Sequence, residues 1–247
     1  MTIKLTNLSS GYDRHPVVHH ISGSFSDGSM TAIVGPNGGG KSTLLKSIGG
    51  FMPLMTGAID FGGIGPHEIA YLPQQFEIDR TFPINVMDVV LLGHWPRLGA
   101  LGRIQKHHRE ETMKALTQVD MASFAERPVI SLSTGQWQRV LFARLCLQRA
   151  KLILLDEPFA AIDGRTTHDL IHQLEDWRRA GTTIICVMHD FQLVRDHFPQ
   201  TLVLARDLIA WGETKDAMRD ENLAKASALA SVWVDHADIC DIDGKAA

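Results

Sequence analysis

The residues with the clearest chemical capability lie between Gly35 and Ser42, where the chain reads Gly-Pro-Asn-Gly-Gly-Gly-Lys-Ser and fits G-x-x-x-x-G-K-[ST]. Glycines let the backbone curl so that successive N–H groups point inward, and the start of a following helix adds partial positive charge. Such a loop holds phosphate oxygens, with Lys41 reaching the β- and γ-phosphates and the Ser42 hydroxyl holding Mg²⁺. The pattern therefore predicts a nucleoside triphosphate site.

Two carboxylates, Asp156 and Glu157, follow a run of four apolar residues. In sites of phosphoryl transfer, a first acid lies beside Mg²⁺ and a second can polarise the attacking water. The order of the two acids at the end of a strand therefore predicts a division of labour between metal binding and catalysis.

A second group of small polar residues, 131–136, precedes a helix that is expected to run to about Arg149. Free N–H groups at a helix start form an anion site. A chain with one phosphate loop has no intramolecular use for another such site, so we expect a site that two copies share.

The elements that must position these residues alternate between strands and helices, which predicts an α/β fold with a P-loop core and an N-terminal antiparallel β subdomain. Apolar strands end directly before the candidate residues, as expected where parallel strands face a ligand. Helices are predicted over 42–48 and 163–179, the second within a βαβ crossover and capped by Gly181. The predicted strands are 3–8, 17–25, 31–34, 57–59, 68–72, 151–156, 182–188, 201–204 and 208–211, with turns at 9–11 and 27–28.

An inserted α-helical subdomain is predicted over about residues 77–135. Residues 85–92 and 107–119 carry apolar residues at helical spacing, and Met113 is expected on the same face as Leu116 and Val119. The connecting residues 94–98 carry large apolar groups, which fits a docking surface or a packed loop. We expect one domain over residues 1–234 and a polar tail over residues 235–247.

The composition excludes several classes of protein. The 247-residue chain has a net charge of −4, which argues against a basic surface for nucleic acid. Its three cysteines, Cys146, Cys186 and Cys240, are far apart, which favours a reducing compartment and core packing over a zinc site. The sequence has neither a signal-peptide core nor an apolar run long enough to span a bilayer, so we expect a soluble chain that can bind a membrane protein.

Taken in order, the motifs resemble those of the ATP-binding subunit of an ABC transporter, and the likeness extends from residue 3 to residue 212. The phosphate loop corresponds to the Walker A motif of that family. The other matching positions are Tyr12 (adenine-stacking aromatic), Gln74 (Q-loop), Leu132 to Gln136 (LSGGQ signature), Leu152 to Glu157 (Walker B), 160–163 (D-loop) and His189 (switch histidine).

The resemblance implies that two copies pair head to tail, so that each ATP lies between the phosphate loop of one copy and the signature of the other. Glu157 is then the general base for water, His189 contacts the γ-phosphate, and Gln74 links Mg²⁺ to movement of the helical insert. The implied Mg²⁺ ligands are Ser42, Gln74 and Asp156. The implied nucleotide-binding residues are Tyr12, Gly35, Pro36, Asn37, Gly38, Gly39, Gly40, Lys41, Ser42, Thr43, Ser133, Gly135, Gln136, Asp156 and Asp163.

The resemblance also implies partners and a location. The expected partners are a second copy of the chain, an integral-membrane permease and, indirectly, an extracytoplasmic solute-binding protein, but no nucleic acid. The chain would lie peripherally on the cytoplasmic face of the cell membrane. The helical insert, through Gln74 to Trp95, would pass the motion of the ATPase to the permease.

One residue departs from the family pattern. Thr134 replaces the first of the two usual signature glycines and puts a branched side chain near the shared phosphate. We expect activity to survive, with weaker or slower closure of the dimer.

Within the family, the likeness is to uptake systems for zinc and, next, manganese. It rests on residues 35–43, the brief segment 62–71, residues 81–93 and the sequence Asp-Glu-Pro-Phe-Ala at 156–160. Importers of iron–siderophore complexes or cobalamin are the alternative. This subunit does not touch the cargo in such systems, so kinship alone supports the metal.

The twelve histidines raise the question of direct metal binding. Neighbouring histidines on a strand point to opposite faces, so neither His19-His20 nor His107-His108 forms a chelate by itself. Residues 235–241, which read Asp-His-Ala-Asp-Ile-Cys-Asp, fit a zinc sensor, although a solvated acidic tail is the preferred interpretation.

A different class of function is a non-transport ABC ATPase of DNA repair or translation. Repair members have a long coiled coil between Walker A and the signature, whereas this chain has a compact insert between Ser42 and Leu132. Translation factors usually carry two cassettes, and this chain has one. A P-loop kinase for a small molecule leaves the signature and the D-loop unexplained.

Overall fold

A six-stranded sheet forms the centre of the protein in the computed structural model, which describes residues 2–13, 15–74, 80–99, 102–160 and 162–232. The predicted tail at 235–247 lies outside these residues, as does Cys240. The sheet has the order β5-β6-β7-β3-β8-β9, in which only β9 is antiparallel to its neighbour. The strands are β3 (Met30–Val34), β5 (Ile69–Leu72), β6 (Leu152–Asp156), β7 (Thr183–Val187), β8 (Gln200–Ala205) and β9 (Asp207–Glu213).

Strands β3, β6 and β7 end level with one another. Val187 of β7 is the register partner of Ile33 in β3 and of Asp156 in β6. Because these strands run parallel, their carboxyl ends meet at one edge of the sheet. The phosphate loop, the two acids and His189 follow these three ends, so the register brings them together.

A second, antiparallel sheet has the order β2-β1-β4 and consists of β1 (Ile3–Tyr12), β2 (His15–Phe25) and β4 (Thr56–Asp60). The turn predicted at residues 9–11 is wrong, because β1 continues through these residues with shifts of register. The Ser10 hydroxyl donates to the Pro53 carbonyl, and Gly11 pairs with Pro16. These tertiary contacts satisfy polar groups that otherwise favour a turn.

The hydrophobic core lies on both faces of the central sheet. On one face, Ile33 and Val187 pack with Leu44 of the first helix and with β1 and β2. On the other face, Ala32 and Cys186 pack against the helices of the second half of the chain. Every residue of β3, β6 and β7 is buried, which explains why these strands read as continuous apolar runs.

Nine α-helices are present in the described part of the chain. Asn85 caps α2 by accepting a hydrogen bond from the Asp88 N–H at 2.7 Å. Helix α6 connects β6 to β7, which confirms the predicted βαβ crossover. The helices are α1 (Lys41–Ile48), α2 (Val86–Leu91), α3 (Trp95–Leu98), α4 (Lys106–Gln118), α5 (Thr134–Gln148), α6 (Gly164–Arg179), α7 (Phe191–His197), α8 (Thr214–Ala217) and α9 (Asp220–Val232).

The prediction for the inward face of α4 was partly wrong. Leu116 and Val119 are buried as expected, whereas Met113 is exposed. Thr112 and Ala115 occupy buried positions of the helix instead, because the Thr112 hydroxyl donates to the His108 carbonyl and hides its polar atom. A satisfied hydroxyl can face the core where hydrophobic spacing alone favours a methionine.

Candidate functional site

The loop after β3 wraps closely around the start of α1. Gly35 and Gly40 have φ angles of 149° and 84°, which favour glycine. A Cβ atom on Gly35 would lie 1.9 Å from the Leu204 carbonyl oxygen, and one on Gly40 would lie 2.4 Å from Val18. Both backbone geometry and close packing therefore require glycine at these positions. The cleft beside the loop has a volume of about 300 Å³ and is lined by Val17, Asn37, Gly38, Gly39, Gly40, Lys41, Ser42, Thr43, Gln74 and Glu157.

Lys41 is buried at the start of α1, inside the curve of the loop. Its ammonium group donates to the carbonyl oxygens of Gly35 and Pro36, each at 2.9 Å. Burial lowers the pKa of Lys41, while the nearby carboxylates of Glu157 and Asp156 oppose that shift. A cation held in a glycine-rich loop at the start of a helix attracts an anion to that loop.

The hydroxyl of Ser42 and the carboxylate of Asp156 meet at the base of the cleft. Ser42 Oγ donates to Asp156 Oδ1 at 3.0 Å, although the two residues are 114 positions apart. Asp156 is almost fully buried. Hydroxyl and carboxylate oxygens are hard ligands of the kind that Mg²⁺ prefers, so this pair fits a Mg²⁺ site next to bound phosphates.

Glu157 lies at the centre of a polar cluster formed by three loops. Its Oε1 atom accepts a hydrogen bond from Gln74 Nε2 at 2.9 Å and lies 2.5 Å from His189 Nε2. The backbone of Glu157 is in the left-handed region with φ of 50°. This conformation carries strain for a residue with a side chain, and strain of this kind concentrates at functional sites. The arrangement holds one carboxylate between an amide and an imidazole at the mouth of the cleft.

The signature residues form a second cleft at the start of α5. Ser133 caps the helix by accepting from the Gln136 N–H at 3.2 Å, while Gln136 Oε1 accepts from the Ser133 N–H at 3.0 Å. Asp163 caps α6 by accepting from the N–H and hydroxyl of Thr166, and these hydrogen bonds lower the pKa of Asp163. The cleft, of about 390 Å³, is lined by Ser133, Thr134, Gly135, Gln136, Arg139, Ile162, Asp163 and Thr166.

The structure separates the predicted site residues into two groups. The phosphate loop, Gln74, Asp156, Glu157 and His189 come together at the first cleft. The signature residues and Asp163 line the second cleft, and no residue is common to the two linings. Tyr12 lines neither; it is 54% exposed at the end of β1, where it pairs with His15.

Sequence reasoning missed several residues that line or support these clefts. Val17 lines the first cleft from β2. Arg139, one turn after Gln136, donates to Asp169 at 2.8 Å and ties α5 to α6. Arg80 donates to the carbonyl of Val129 and to that of Leu132, the first residue of the signature. Arg139 could have been found from the sequence, because it lies one turn after Gln136 on the same predicted helix. The contact of Arg80 could not, because it depends on the tertiary fold.

The described residues lack two features that mark other classes of protein. No group of three or more histidine, cysteine, aspartate or glutamate side chains there converges in a way that could hold a metal ion. None of the helices in the described part of the chain is long and apolar enough to cross a bilayer.

The fold and the first cleft define a P-loop nucleoside triphosphatase: a phosphate loop joins the buried strand β3 to a helix, and two acids follow the buried strand β6, which is separated from β3 by β7. Residues 18–160, more than half of the chain, match the sequence model described as "ABC transporter". The chain belongs to the ABC transporter family, and it is an ATPase of that family.

Individual relatives match over nearly the whole chain. The manganese transport system ATP-binding protein MntB of Bacillus subtilis is 38% identical over 90% of this chain and 91% of its own length. The zinc transport system ATP-binding protein TroB of Treponema pallidum is 36% identical over 91% and 86% of the two chains. Among solved structures, an inward-facing ABC transporter assigned to the metal-chelate type superposes with a TM-score of 0.81 at 28% identity, covering 92% of this chain and 89% of that one.

Proposed function

We propose that this chain is the ATP-hydrolysing subunit of an importer that energises uptake of a divalent transition metal, zinc or manganese. The observation that carries the proposal is the likeness, over about nine-tenths of the chain, to ATP-binding proteins of manganese and zinc transport systems. Because the two identities are nearly equal, at 38% and 36%, both metals stay in the proposal and an experiment must choose between them.

The first cleft would bind the triphosphate of ATP. Lys41 would leave its two carbonyl acceptors to contact the β- and γ-phosphates, and the N–H groups of the loop would bind their oxygens. Tyr12 is exposed, so its ring is accessible for stacking on the adenine ring. The residues that would contact the nucleotide in one copy are Tyr12, Gly35, Pro36, Asn37, Gly38, Gly39, Gly40, Lys41, Ser42, Thr43 and Asp156.

Mg²⁺, when bound, would neutralise the charge of the β- and γ-phosphates. Ser42 and Asp156 would hold it, since their oxygens already meet at 3.0 Å. Gln74 would supply a third ligand through its side-chain oxygen. Its amide nitrogen is the atom that donates to Glu157, which leaves that oxygen free to point toward the metal.

Glu157 would accept a proton from the water that attacks the γ-phosphate. The imidazole of His189 lies 2.5 Å from the same carboxylate oxygen and would hold it in position while contacting the γ-phosphate. The amide of Gln74 fixes the carboxylate from the other side. Gln74 would therefore contact both the metal and the general base. Its position would change when the nucleotide is hydrolysed, and the helical region that follows it would move with it.

The second cleft supports a head-to-tail dimer. Ser133, Gly135 and Gln136 lie away from the phosphate loop of their own chain, so they would complete the nucleotide site of a partner copy, with Asp163 beside them. ATP would then bridge two copies, and its hydrolysis would remove the bridge.

The helical region would dock on an integral-membrane permease at the cytoplasmic face of the cell membrane. Phe82 and Trp95, which follow Gln74 in the chain, are 66% and 57% exposed. Exposed large apolar groups on one region are typical of interaction surfaces. An extracytoplasmic solute-binding protein would deliver the cargo to the permease, so this chain would have no contact with the cargo during import.

The decisive experiment measures total zinc, manganese and iron in cells that carry Glu157→Gln in place of the normal chain, grown under limitation for each metal. The substitution removes the proton acceptor, so ATP hydrolysis by the purified variant should fall by about 10²- to 10⁴-fold. We expect the cells to lose zinc or manganese selectively. The matched control is Glu221→Gln, which makes the same change at an exposed position at the start of α9.

Two other outcomes of this experiment would contradict the proposal. A selective loss of iron would contradict the free-metal cargo and favour a chelated one, in line with the structural neighbour of the metal-chelate type. The second is a purified variant that lacks ATPase activity in combination with cells that keep unchanged levels of all three metals. That outcome would overturn metal uptake and leave an importer of a chelated cargo such as cobalamin, or a non-transport ABC ATPase.

A further inference from the structure

Two exposed histidines lie close together on α6, outside the linings of both clefts described above. His168 and His172 are one turn apart, so the helix places their side chains on the same face. Their Nε2 atoms are 3.1 Å apart, and both side chains are exposed. Their rings meet edge to face with centroids 4.2 Å apart, and the two Nε2 atoms face each other at the surface of the helix.

The separation of these nitrogens suits a metal ion. Zinc binds imidazole nitrogen at about 2.0–2.1 Å, and two such bonds that span 3.1 Å enclose an angle of roughly 95–100°. That angle lies between those of octahedral and tetrahedral coordination, so either is reached by a small rotation of the rings. Without a metal, one imidazole donates to the other; binding requires only that His168 carry its proton on Nδ1 instead of Nε2.

A carboxylate behind the pair fixes the orientation of one ring. Glu175 Oε2 lies 3.4 Å from Nδ1 of His172, and Glu175 Oε1 lies 3.2 Å from Nδ1 of His197 on α7. A carboxylate that accepts from Nδ1–H leaves Nε2 as the free ligand atom and raises its basicity. Glu175 is only 20% exposed and joins α6 to α7, so it is a fixed support for His172.

We propose that His168 and His172 form a two-histidine chelate for a Zn²⁺-like divalent transition metal. Water would complete the coordination, consistent with the lack of a third histidine, cysteine or carboxylate ligand in the described part of the chain. Imidazole favours Zn²⁺, Ni²⁺ and Cu²⁺ over Mn²⁺, so the site discriminates against manganese.

The position of the site gives it a regulatory role, a step that rests on the proposed function. His168 lines a cavity of about 520 Å³ whose other walls include Glu157 and His189. The first turn of α6 begins at Asp163, which lies beside signature residue Gly135. A metal that ties His168 to His172 stiffens the following turn of α6, which places His168 in the wall of that cavity. Accumulated zinc in the cytoplasm would thereby slow the ATPase, which is a feedback on import if zinc is the cargo.

The chain offers a direct chemical readout of binding. Residues 166–178 form one tryptic peptide, and its only histidines are His168 and His172. Diethylpyrocarbonate modifies free imidazole nitrogens, so mass spectrometry of this peptide measures their occupancy in the intact protein. We expect Zn²⁺ to protect both histidines and Mn²⁺ at the same free concentration to protect neither, while the exposed His67 stays reactive throughout.

Two variants test the assignment. His172→Gln should abolish protection of His168, and Glu175→Gln should raise the Zn²⁺ concentration needed for protection by about 10- to 100-fold. Equal protection of His168 in the wild-type chain and in His172→Gln would overturn the chelate. Equal protection by Mn²⁺ and Zn²⁺ would overturn its metal preference.

The regulatory step has its own readout. Micromolar free Zn²⁺ should lower the rate of phosphate release by the wild-type chain several-fold and leave His172→Gln unaffected, with His67→Gln behaving as wild type. Protection at the pair with identical Zn²⁺ sensitivity in wild type and His172→Gln would overturn regulation while leaving the site in place. None of these measurements depends on which cargo the permease carries, so the site can fail without the uptake proposal failing, and the reverse.

Discussion

At the scale of single residues, the nucleotide cleft depends on side chains that hold one another in place. Glu157 has a strained backbone and receives hydrogen bonds from residues that are far away in sequence, Gln74 and His189. Ser42 is similarly held by Asp156, and Lys41 by two carbonyls of the loop that it would exchange for phosphate oxygens. Fixing Glu157 and Ser42 in this way lowers the cost of ordering them when ATP binds.

The residue Thr134 supplies a prediction at this scale. It occupies the first position of α5 and lines the second cleft, where its branched side chain would face the phosphate of a partner copy. We expect Thr134→Gly to strengthen ATP-driven dimerisation by about two- to fivefold, equivalent to up to about 1 kcal/mol. Analytical ultracentrifugation of a Glu157→Gln background with ATP measures it.

The opposite change serves as the matched control. A Cβ atom on Gly135 would lie 3.5 Å from Asp163, an ordinary contact, so Gly135→Ala should fold normally. Because it crowds the same cleft, it should weaken dimerisation. If Thr134→Gly and Gly135→Ala shift the equilibrium in the same direction, crowding by Thr134 is not the cause.

At the scale of elements, one side chain links the start of the helical region to the signature. Arg80 donates to the carbonyls of Val129 and Leu132, and its guanidinium lies over the Trp137 ring at 5.6 Å from the centroid. Three contacts from one side chain thus hold the segment that leads into α5. The signature would move with the chain that follows Gln74.

Arg80→Met should therefore misplace the signature. We expect ATP hydrolysis to fall at least several-fold while binding of ATP to the phosphate loop of the monomer stays unchanged, because only the shared site needs the signature. Fluorescent-nucleotide titration and phosphate release separate the two effects. Arg127→Met is the control, since Arg127 lies 4.5 Å from the Phe124 ring but is exposed and makes no such link to the signature. Equal losses in both variants would contradict a specific role for Arg80.

The buried His94 makes the stability of the helical region depend on pH. Its side chain is 1% exposed, and Arg97 Nη2 donates to its Nδ1 at 3.0 Å, which requires a neutral ring with the proton on Nε2. Burial lowers the pKa of His94 below 6.5, and the hydrogen bond from Nε2 to the His108 carbonyl only partly opposes that shift. The unfolded chain therefore binds a proton at a higher pH than the folded chain does.

This difference in proton binding makes the folded chain less stable in acid. Stability is complete above pH 6.5 and decreases as the pH falls below it, by at most about 1.4 kcal/mol per pH unit from this residue. Urea unfolding at pH 7.5 and pH 5.5 measures the decrease. His94→Gln should lower stability at pH 7.5 but reduce the pH-dependent part, whereas His67→Gln should leave both unchanged. An identical pH dependence in wild type and His94→Gln would show that another group is responsible.

At the scale of the whole molecule, the proposed dimer requires each chain to carry two different halves of an ATP site. The phosphate loop lies at the carboxyl edge of the central sheet, and the signature lies at the start of α5 in a separate cleft. Two-fold pairing of identical chains would generate two equivalent sites. The two sites would then be coupled, because each of them is built from both chains.

Mixed dimers test this pairing. A chain with Lys41→Ala lacks a working phosphate loop, and a chain with Ser133→Arg lacks a working signature, so each alone should be inactive. An equal mixture should regain about a quarter of wild-type ATPase activity, because half of the dimers carry one intact site of two. The control is each variant alone at the same total protein concentration. A mixture as inactive as its components would argue against sites shared between chains.

The sequence by itself determined the parts of this protein that depend on local chemistry. Glycine spacing before Lys41, continuous apolar strands and helix-capping residues such as Ser133 act within a few residues, so they predicted the phosphate loop, the central strands and the βαβ crossover. The family resemblance carried by the same motifs predicted the ABC ATPase, and the comparison with known proteins confirmed it.

Only the tertiary structure decided which distant groups meet. The register of β6 and β7 brings Glu157 to His189, and the fold brings Arg80 to the signature, although no local pattern marks either contact. The same is true where prediction was wrong: β1 runs through Ser9, Ser10 and Gly11 because a neighbouring strand and Pro53 satisfy groups that would otherwise form a turn. Local patterns report what a segment prefers, whereas burial and hydrogen bonding between distant segments decide what it adopts.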